Sequence, residues 1–359
     1  MRWSPYQGVA VEGRPSPRVL VTGASGFVAG HVISRLLSEG YTVRGTVRGD
    51  PSTAAVAHLS AQAAQGRGSI EFVAADLDSD IGWERALHGV DVVLHTASPN
   101  PSALPEDEDA LIGPAVKGTL RVLRAAARAS VRRVVLTSST SSVTAGHETR
   151  TGRIFTEADW SVLPQSSPYE KSKTMAEQAA WNFVDKQPSA GRLELVALNP
   201  GLVLGPLQVA RLNASSEVVA RLLDGSLPAV PRLAFSVVDV RDLAAAHLLA
   251  MTAPAAPGSR YILAGPAMWM QDMARVLADQ FRPQGFRVPT ARLPFAALWL
   301  AARFDPAVKL MLPAVGRSEH LSSQKAADEL GWRTRSAVET LLDTGRSLID
   351  HGLVAPRRS

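Results

Sequence analysis

Cysteine is absent from the chain of 359 residues. Its absence excludes disulfide bonds and thiolate metal sites, and it fits a reducing compartment, so we predict a cytoplasmic protein. Long hydrophobic runs are missing as well: the nearest to one, 293–302, lies between two arginines and is far shorter than the roughly 20 residues that a membrane span needs. We therefore expect no contact with a membrane. No metal-ligand spacing is found at His88, His95, His147, His247 and His320, so we expect no metal site.

Aromatic residues make up only 6% of the chain, and no dense basic block is interleaved with them. The net charge of +5 is spread over scattered arginines, so nucleic-acid binding is not indicated. An apolar content of 46% and a mean hydropathy of +0.03 are typical of a globular enzyme with a large core. The length predicts one large α/β unit or two lobes that share a cleft.

A glycine-rich string follows the first apolar run. Residues 18–21 have the pattern of a buried strand, and from Phe27 to Leu37 apolar residues recur at helical spacing. In such a strand–turn–helix unit Gly23 permits a tight turn, Gly26 lets a diphosphate approach the backbone, and Ala29 lets the helix pack closely. The pattern G-x-x-G-x-x-A is a variant of the dinucleotide-binding motif, and a glycine-rich turn in another kind of α/β protein is the alternative. The residues expected to contact a cofactor here are Gly23, Ser25, Gly26, Phe27 and Val28.

The predicted second strand, 42–47, ends at Arg48, about twenty residues past the glycine string. An acidic residue at this position would hydrogen-bond a ribose 2′-hydroxyl and suit NAD, whereas an arginine suits the 2′-phosphate of NADP. Arg48 therefore predicts NADP(H), with NAD(H) as the alternative because Asp50 lies close by in the sequence. A solvated surface charge without a ligand is the simpler interpretation of Arg48.

Tyr169 and Lys173 lie on one face of a predicted helix, because residues four apart share a face. An ammonium group near a phenol stabilises the phenolate and brings the pKa of the tyrosine toward that of a useful general acid, although such pairs also occur by chance. A hydroxyl-rich run, 137–142, follows the predicted strand 134–137 and could stabilise charge on a carbonyl oxygen, although serine-rich segments are more often plain loops. Together with the glycine string, these residues suggest hydride transfer.

Strand-like and helix-like stretches alternate through the first half of the chain. This alternation predicts an α/β fold: a Rossmann-type, doubly wound parallel sheet with a smaller, mostly helical C-terminal lobe. We expect a loose N-terminal extension (1–17), a dinucleotide-binding domain that carries the catalytic residues (18–200), and a substrate-binding lobe (201–359) from which some strands return to the main sheet. The predicted strands are 18–21, 42–47, 70–74, 90–95, 134–137, 193–198 and 261–263, and the predicted helices are 27–37, 83–88, 111–129, 169–186, 215–223, 242–251, 270–281, 296–302 and 337–349.

Several motifs resemble those of a known family. They are the glycine string 21–29, the segments 43–48 and 135–139, the block 169–181 (YEKSKTMAEQAAW), 199–206 (NPGLVLGP) and 238–242 (VDVRD). Over roughly residues 18 to 352 the chain resembles the extended short-chain dehydrogenase/reductases, and within them the dihydroflavonol-reductase-like branch that includes aldehyde and ketone reductases. The block 169–181 is highly specific to this branch.

The resemblance implies a role for each matching residue. Tyr169 is expected to be the general acid, and Lys173 its partner on the nicotinamide ribose. Ser139 matches the hydroxyl that orients the carbonyl, with Ser138 as the alternative if the alignment shifts by one residue. Arg48 matches the residue that binds the 2′-phosphate. The other residues expected at the cofactor are Asp76 and Leu77 beside the adenine, Thr96, Ala97 and Ser98 along the cofactor, and Pro200, Gly201 and Val203.

The chain departs from the family pattern at several positions. Thr144 stands where plant flavonoid reductases carry an asparagine, which argues against a flavonoid substrate. The cinnamoyl-CoA reductase signature, which includes a cysteine, is missing. Ala54 and Ala55 replace lysines that often follow the arginine, so we expect a weaker preference for NADP over NAD.

The expected function is therefore NADPH-dependent reduction of an aldehyde or ketone, with a small apolar or aromatic substrate. An NAD-dependent nucleotide-sugar epimerase or dehydratase and a 3β-hydroxysteroid dehydrogenase are alternatives on the same fold. A non-catalytic NADP-binding redox sensor is a remote alternative, because such sensors commonly lose the tyrosine–lysine pair that is intact here. The chain is expected to be a monomer, or a homodimer through the helices that start at Leu111 and Tyr169.

Overall fold

The computed structural model describes residues 17–99, 107–147, 152–189, 191–304 and 312–356, so the predicted N-terminal extension lies outside the described residues except for Pro17. The strands, in chain order, are β1 (Arg18–Val21), β2 (Thr42–Val47), β3 (Ser69–Ala74), β4 (Val92–His95), β5 (Arg133–Thr137), β6 (Ile154–Phe155), β7 (Glu194–Pro200), β8 (Leu202–Leu204), β9 (Ala234–Asp239), β10 (Ser259–Leu263), β11 (Ala267–Trp269) and β12 (His320–Leu321). The α-helices are α1 (Phe27–Ser38), α2 (Ala57–Gln65), α3 (Trp83–Leu87), α4 (Asp109–Arg128), α5 (Ser141–Thr144), α6 (Pro168–Asp185), α7 (Ala214–Leu223), α8 (Val240–Thr252), α9 (Met270–Phe281), α10 (Phe295–Ala301), α11 (Gln324–Leu330) and α12 (Ala337–Asp350). Short 3₁₀ helices cover Ala54–Val56, Leu163–Gln165, Arg282–Gln284 and Leu312–Ala314.

A seven-stranded sheet in the order β10-β7-β5-β4-β1-β2-β3 forms the centre of the molecule, and all its neighbouring strands are parallel. At the end of β1, Val21 pairs with Gly45 of β2 on one side and with Leu94 of β4 on the other. The chain moves outward from β1 in both directions, so β1 and β4 flank the point where the strand order reverses. A crevice opens there at the carboxyl ends of the strands, which is where open α/β sheets bind ligands. The predicted Rossmann-type fold is confirmed.

The local sequence explains most of these elements. Strand β2 and helix α9 have the predicted bounds, and α1 begins at the predicted residue, Phe27. Helix α1 buries one apolar face that includes Val32, Ile33 and Leu36, which is the spacing of an amphipathic helix. The sequence did not predict α2, because Leu59 is the only one of its nine residues that is buried. With a single buried position the segment lacks the periodicity that marks a helix.

Apolar packing forms a core on each face of the sheet and a further core in the C-terminal part. One face packs against α1, α8 and α11, and the other packs against α3, α4 and α6. The third large core joins β8, β9, α7, α9 and α12. Three elements beyond residue 200 thus belong to the central layers, since α8 and α11 pack in the same core as α1 and β10 pairs with β7. The boundary at residue 200 stays a prediction. In the described part of the chain, no helix is both long and apolar enough to cross a membrane.

Candidate active site

The glycine turn after β1 is a tight turn that has no room for larger side chains. Gly23 has φ +70°, and a Cβ there would lie 3.0 Å from the Cβ of Ala97. The Gly23 N–H donates to Thr46 Oγ1 at 3.0 Å, and the Ala24 N–H donates to the Thr46 carbonyl at 2.8 Å. A Cβ on Gly26 would lie 3.1 Å from the Gly23 carbonyl oxygen. A side chain at Gly23 would therefore strain the backbone and press on Ala97, a Cβ at Gly26 would require a small shift, and without these Cβ atoms the backbone is open to a ligand.

The first turn of α1, which follows this glycine turn, has no side-chain cap. Its N-cap residue, Gly26, makes no side-chain hydrogen bond, and the first turn contains no acidic residue. By contrast, α6 and α7 are capped by Ser167 and Asn213. Because the first N–H groups of a helix have no acceptor within the helix, the start of α1 offers donors and partial positive charge to an anion. This arrangement fits the diphosphate of a dinucleotide.

The end of β4 is hydrogen-bonded to the glycine turn through Thr22. Thr22 Oγ1 accepts from the Ala97 N–H at 3.0 Å, and the Thr96 hydroxyl donates to the Thr22 carbonyl at 2.6 Å. Thr22 Oγ1 also lies 2.8 Å from His95 Nδ1. Burial, reinforced by the charge of Lys173, lowers the pKa of His95 to about 3, so this ring is neutral. His95 is thus a buried structural residue. Within the described ranges, no group of three histidine or acidic side chains is arranged to hold a metal ion.

Helix α6 brings Tyr169 and Lys173 to the same crevice. It starts with a capping box, in which Ser167 accepts from the Glu170 N–H and the Glu170 carboxylate accepts from the Ser167 N–H, so Tyr169 lies in the first helical turn. Lys173 Nζ donates to Ser98 Oγ at 3.0 Å and lies 5.8 Å from the centre of the Tyr169 ring. The Tyr169 side chain remains 41% exposed. The structure therefore joins the predicted tyrosine–lysine pair to the end of β4.

The two serines at the end of β5 have different surroundings. Ser138 is buried, donates to Glu177 Oε2 at 2.5 Å and lies 2.9 Å from Ser142 Oγ. Ser139 is half-buried, and its Oγ accepts from the Ser141 N–H at 3.1 Å. No acceptor for the Ser139 hydroxyl proton is found in the described part of the chain, so this proton is available to a ligand. The geometry therefore favours Ser139 over Ser138 as the hydroxyl that could contact a carbonyl.

Sequence reasoning missed a buried charged network behind these serines. Glu177 is fully buried and accepts from Arg260 Nε at 2.6 Å and from Asn199 Nδ2 at 2.8 Å. Asn199 Nδ2 also donates to the Ser139 carbonyl at 3.1 Å. The Arg260 guanidinium stacks on the Trp160 ring at 3.7 Å from its centre. A possible signal was the placement of Glu177 two helical turns after Tyr169, on the face that meets the sheet.

The remaining predicted cofactor residues lie along the same edge of the sheet. Arg48 follows β2 and is exposed, with no hydrogen-bonding or ionic partner in the described ranges. The Asp50 carboxylate accepts from the Ser52 N–H and hydroxyl, which lowers the pKa of Asp50 and keeps it occupied locally. Asp76 and Leu77 follow β3, Pro200 ends β7, Gly201 comes directly after it, and Val203 lies in β8. Apart from Val203, these residues thus lie at the carboxyl ends of β2, β3 and β7, whereas Tyr169, Lys173 and Ser139 lie nearer β4 and β5.

A further set of residues at the glycine turn was also missed. The segment 205–213, which we call the β8–α7 loop, contains residues that lie opposite the start of α1, and Arg211 Nη2 donates to the Ser25 carbonyl. Arg211 is distant in sequence from the glycine string, and nothing in its own neighbourhood marks it. Only the fold brings the two together.

Replacing Gly23 with alanine should lower the free energy of unfolding by about 2 kcal/mol or more. Alanine is strained in the left-handed backbone conformation of this residue, and its Cβ would also lie very close to Ala97. Gly331→Ala is the matched control, since Gly331 has φ +66° and open space around its missing Cβ. It should cost about 1 kcal/mol, the backbone strain alone. Urea denaturation of both variants measures the difference, and equal losses would show that the contact with Ala97 is not restrictive.

Comparison with known proteins places the chain in a family. Residues 19–264 match the model of the NAD dependent epimerase/dehydratase family, and the chain belongs to that family. It is 35% identical over 344 residues to cinnamoyl-CoA reductase 1 of Arabidopsis thaliana, covering 94% of this chain and 91% of that protein. It is 32% identical over 286 residues to an anthocyanidin reductase of Vitis vinifera, covering 75% of this chain and 82% of that protein.

A solved structure agrees with this placement. The yeast methylglyoxal/isovaleraldehyde reductase Gre2, complexed with NADPH, is 30% identical and superposes with a TM-score of 0.77, covering 94% of this chain and 100% of that chain. The predicted resemblance is therefore confirmed: the chain is an extended short-chain dehydrogenase/reductase of the dihydroflavonol-reductase-like branch, and an enzyme of the oxidoreductase class.

Proposed function

We propose that this protein is an NADPH-dependent reductase that converts a small aldehyde or ketone into an alcohol. The observation that supports this most strongly is the 3.0 Å hydrogen bond from Lys173 Nζ to Ser98 Oγ. It connects α6, which carries Tyr169 and Lys173, to the segment that follows β4 beside the glycine turn. Groups for proton transfer and for phosphate binding therefore share one crevice. The similar yeast reductase is complexed with NADPH, which favours the same cofactor here.

The residues of the crevice fit a nicotinamide dinucleotide. Gly23 and Gly26 leave the space, and the uncapped start of α1 supplies the donors, that a diphosphate needs. Arg48, exposed after β2, would pair with a 2′-phosphate, and Asp76 and Leu77, which follow β3, would flank the adenine. When bound, the dihydronicotinamide supplies the hydride for the carbonyl carbon.

The side chains of the protein provide the rest of the chemistry. Tyr169 donates its hydroxyl proton to the carbonyl oxygen as negative charge develops there. The Ser139 hydroxyl, which has no acceptor among the described residues, hydrogen-bonds to the same oxygen and holds it in place. The Lys173 ammonium, 5.8 Å from the centre of the Tyr169 ring, stabilises the phenolate that remains after the proton has left.

The proposed substrate is a small carbonyl compound with an apolar or aromatic group. The similar proteins are named for cinnamoyl-CoA, for an anthocyanidin, and for methylglyoxal and isovaleraldehyde; apart from methylglyoxal, these compounds carry sizeable apolar or aromatic groups. Thr144, at which the sequence departs from the pattern expected for a flavonoid reductase, is buried at the end of α5, which argues against a flavonoid.

The experiment is a screen of aldehydes and ketones in which the loss of NADPH absorbance is followed. We expect oxidation of NADPH with at least one carbonyl compound, at a higher kcat/KM than with NADH. Arg48→Ala should lower kcat/KM with NADPH by about ten- to a hundredfold and leave the value with NADH nearly unchanged, because only NADPH carries the 2′-phosphate. A protein that purifies with NAD and oxidises NADPH with none of the carbonyls would instead indicate an epimerase or dehydratase.

A further inference from the structure

A cleft separates the glycine turn from the β8–α7 loop. Ser25, Gly26 and Phe27 line one side of it, and Arg211 and Asn213 line the other. The first side is where the proposed cofactor would place its diphosphate. The second side faces the same group, so its chemistry bears directly on cofactor affinity.

The glycine turn has no cation of its own. From Val19 to Ser34 the sequence contains no lysine or arginine. The start of α1 supplies partial charge equivalent to only about half an elementary charge, whereas each phosphate of a diphosphate carries a full negative charge. Among the described residues that line the cleft, Arg211 is the cation, and its guanidinium already reaches across to the Ser25 carbonyl.

The β8–α7 loop is fixed in position by contacts on both sides. Gln208 Nε2 donates to Ser34 Oγ of α1 at 2.8 Å. His31, also on α1, hydrogen-bonds to the Pro206 carbonyl at 2.9 Å. The Leu207 N–H donates to Ser347 Oγ of α12 at 2.6 Å. These contacts within the chain hold the loop at the cleft, which reduces the ordering entropy that binding must overcome.

Two polar atoms in the cleft lack partners. Asn213 Oδ1 caps α7 by accepting from the Ser215 and Ser216 N–H groups, both at 3.0 Å, while its Nδ2 is buried with no partner in the described ranges. His58 Nδ1 is also buried and unpartnered, and burial lowers the pKa of His58, so this ring is neutral rather than a second cation. Leaving a buried donor unsatisfied is unfavourable, so an acceptor placed at Asn213 Nδ2 would be bound favourably.

We propose that Arg211 and Asn213 bind the diphosphate of the nicotinamide dinucleotide from the side opposite α1. The inference rests on the proposed function, because that function supplies the dinucleotide. Arg211 contributes the full positive charge that the glycine turn lacks, and Asn213 Nδ2 donates a hydrogen bond to a phosphate oxygen. Since NADPH and NADH share the diphosphate, both residues contribute equally to the two affinities, whereas Arg48 contributes to NADPH alone.

Isothermal titration calorimetry with NADPH and NADH tests this assignment. Arg211→Ala should raise both dissociation constants by about tenfold, and Arg211→Lys, which keeps the charge, by about threefold. The affinity of Arg211→Ala should also depend less on salt than that of the wild-type protein. Asn213→Asp keeps the side-chain oxygen that caps α7 but replaces the donor with a negative group, so both dissociation constants should rise by about tenfold or more.

The control is Arg275→Ala, which removes a half-exposed arginine paired with Asp272 on α9 and should leave both affinities unchanged. Equal melting temperatures of the ligand-free variants show that the losses are not caused by unfolding. Wild-type affinity in both Arg211→Ala and Asn213→Asp would overturn the inference, and so would a loss confined to NADPH, which would place Arg211 at the 2′-phosphate. A wild-type protein that binds neither dinucleotide would overturn the proposed function and this inference with it.

Discussion

Replacing Tyr169 with phenylalanine should lower kcat by about a thousandfold, because the substitution removes the proposed proton donor and keeps the ring. The dissociation constant for NADPH should change by less than about twofold, since Lys173 keeps its 3.0 Å hydrogen bond to Ser98. Tyr169 is 41% exposed, so the melting temperature should also stay close to that of the wild-type protein. Steady-state kinetics, calorimetry and thermal unfolding measure the three quantities.

The matched control is Tyr41→Phe, which removes a phenol hydroxyl at the opposite end of α1 from the glycine turn, just before β2. It should leave kcat unchanged. A Tyr169→Phe protein with wild-type kcat would exclude Tyr169 as the proton donor. A variant that lost NADPH affinity and kcat together would instead indicate that the tyrosine acts mainly in binding the cofactor.

The sequence predicted the elements whose signal is local. The β-branched residues of β2 and the amphipathic pattern of α9 predicted the correct bounds, because each signal lies within a few residues. Helix α2 was missed since Leu59 alone is buried in it. Helix α8 was predicted from its own residues, but its contact with α1 depends on the fold and cannot be predicted from those residues alone.

The candidate site divides in the same way. The positions of Tyr169 and Lys173 follow from helical spacing, so the sequence placed them on one face correctly. The choice between Ser138 and Ser139 depends on Glu177, which lies 39 residues further along the chain. Arg211 meets Ser25 across 186 residues. No periodicity encodes contacts of that range, and they become visible only when the strand order is known.

Removing the charge of Glu177 should lower the free energy of unfolding by about 3 kcal/mol or more, because it leaves a buried arginine without its counterion. Glu177 is fully buried, and the Arg260 side chain that pairs with it at 2.6 Å is only 8% exposed. Glu177→Gln is the suitable change, since it preserves shape and some hydrogen bonds while removing the charge. Urea denaturation with a fitted slope measures the loss.

A double-mutant cycle separates the charge pair from general damage to the core. Arg260→Met alone should lower the free energy of unfolding about as much as Glu177→Gln does. The loss in the double variant should be clearly smaller than the sum of the two single losses, because no unpaired charge remains buried. Asp272→Asn is the surface control: its exposed pair with Arg275 should be worth less than about 1 kcal/mol. Strictly additive losses would mean that packing, and not the ion pair, stabilises this region.

Because Asn199 connects Glu177 to the Ser139 carbonyl, Glu177→Gln should also lower kcat at temperatures where the variant is fully folded, with a smaller effect on the dissociation constant for NADPH.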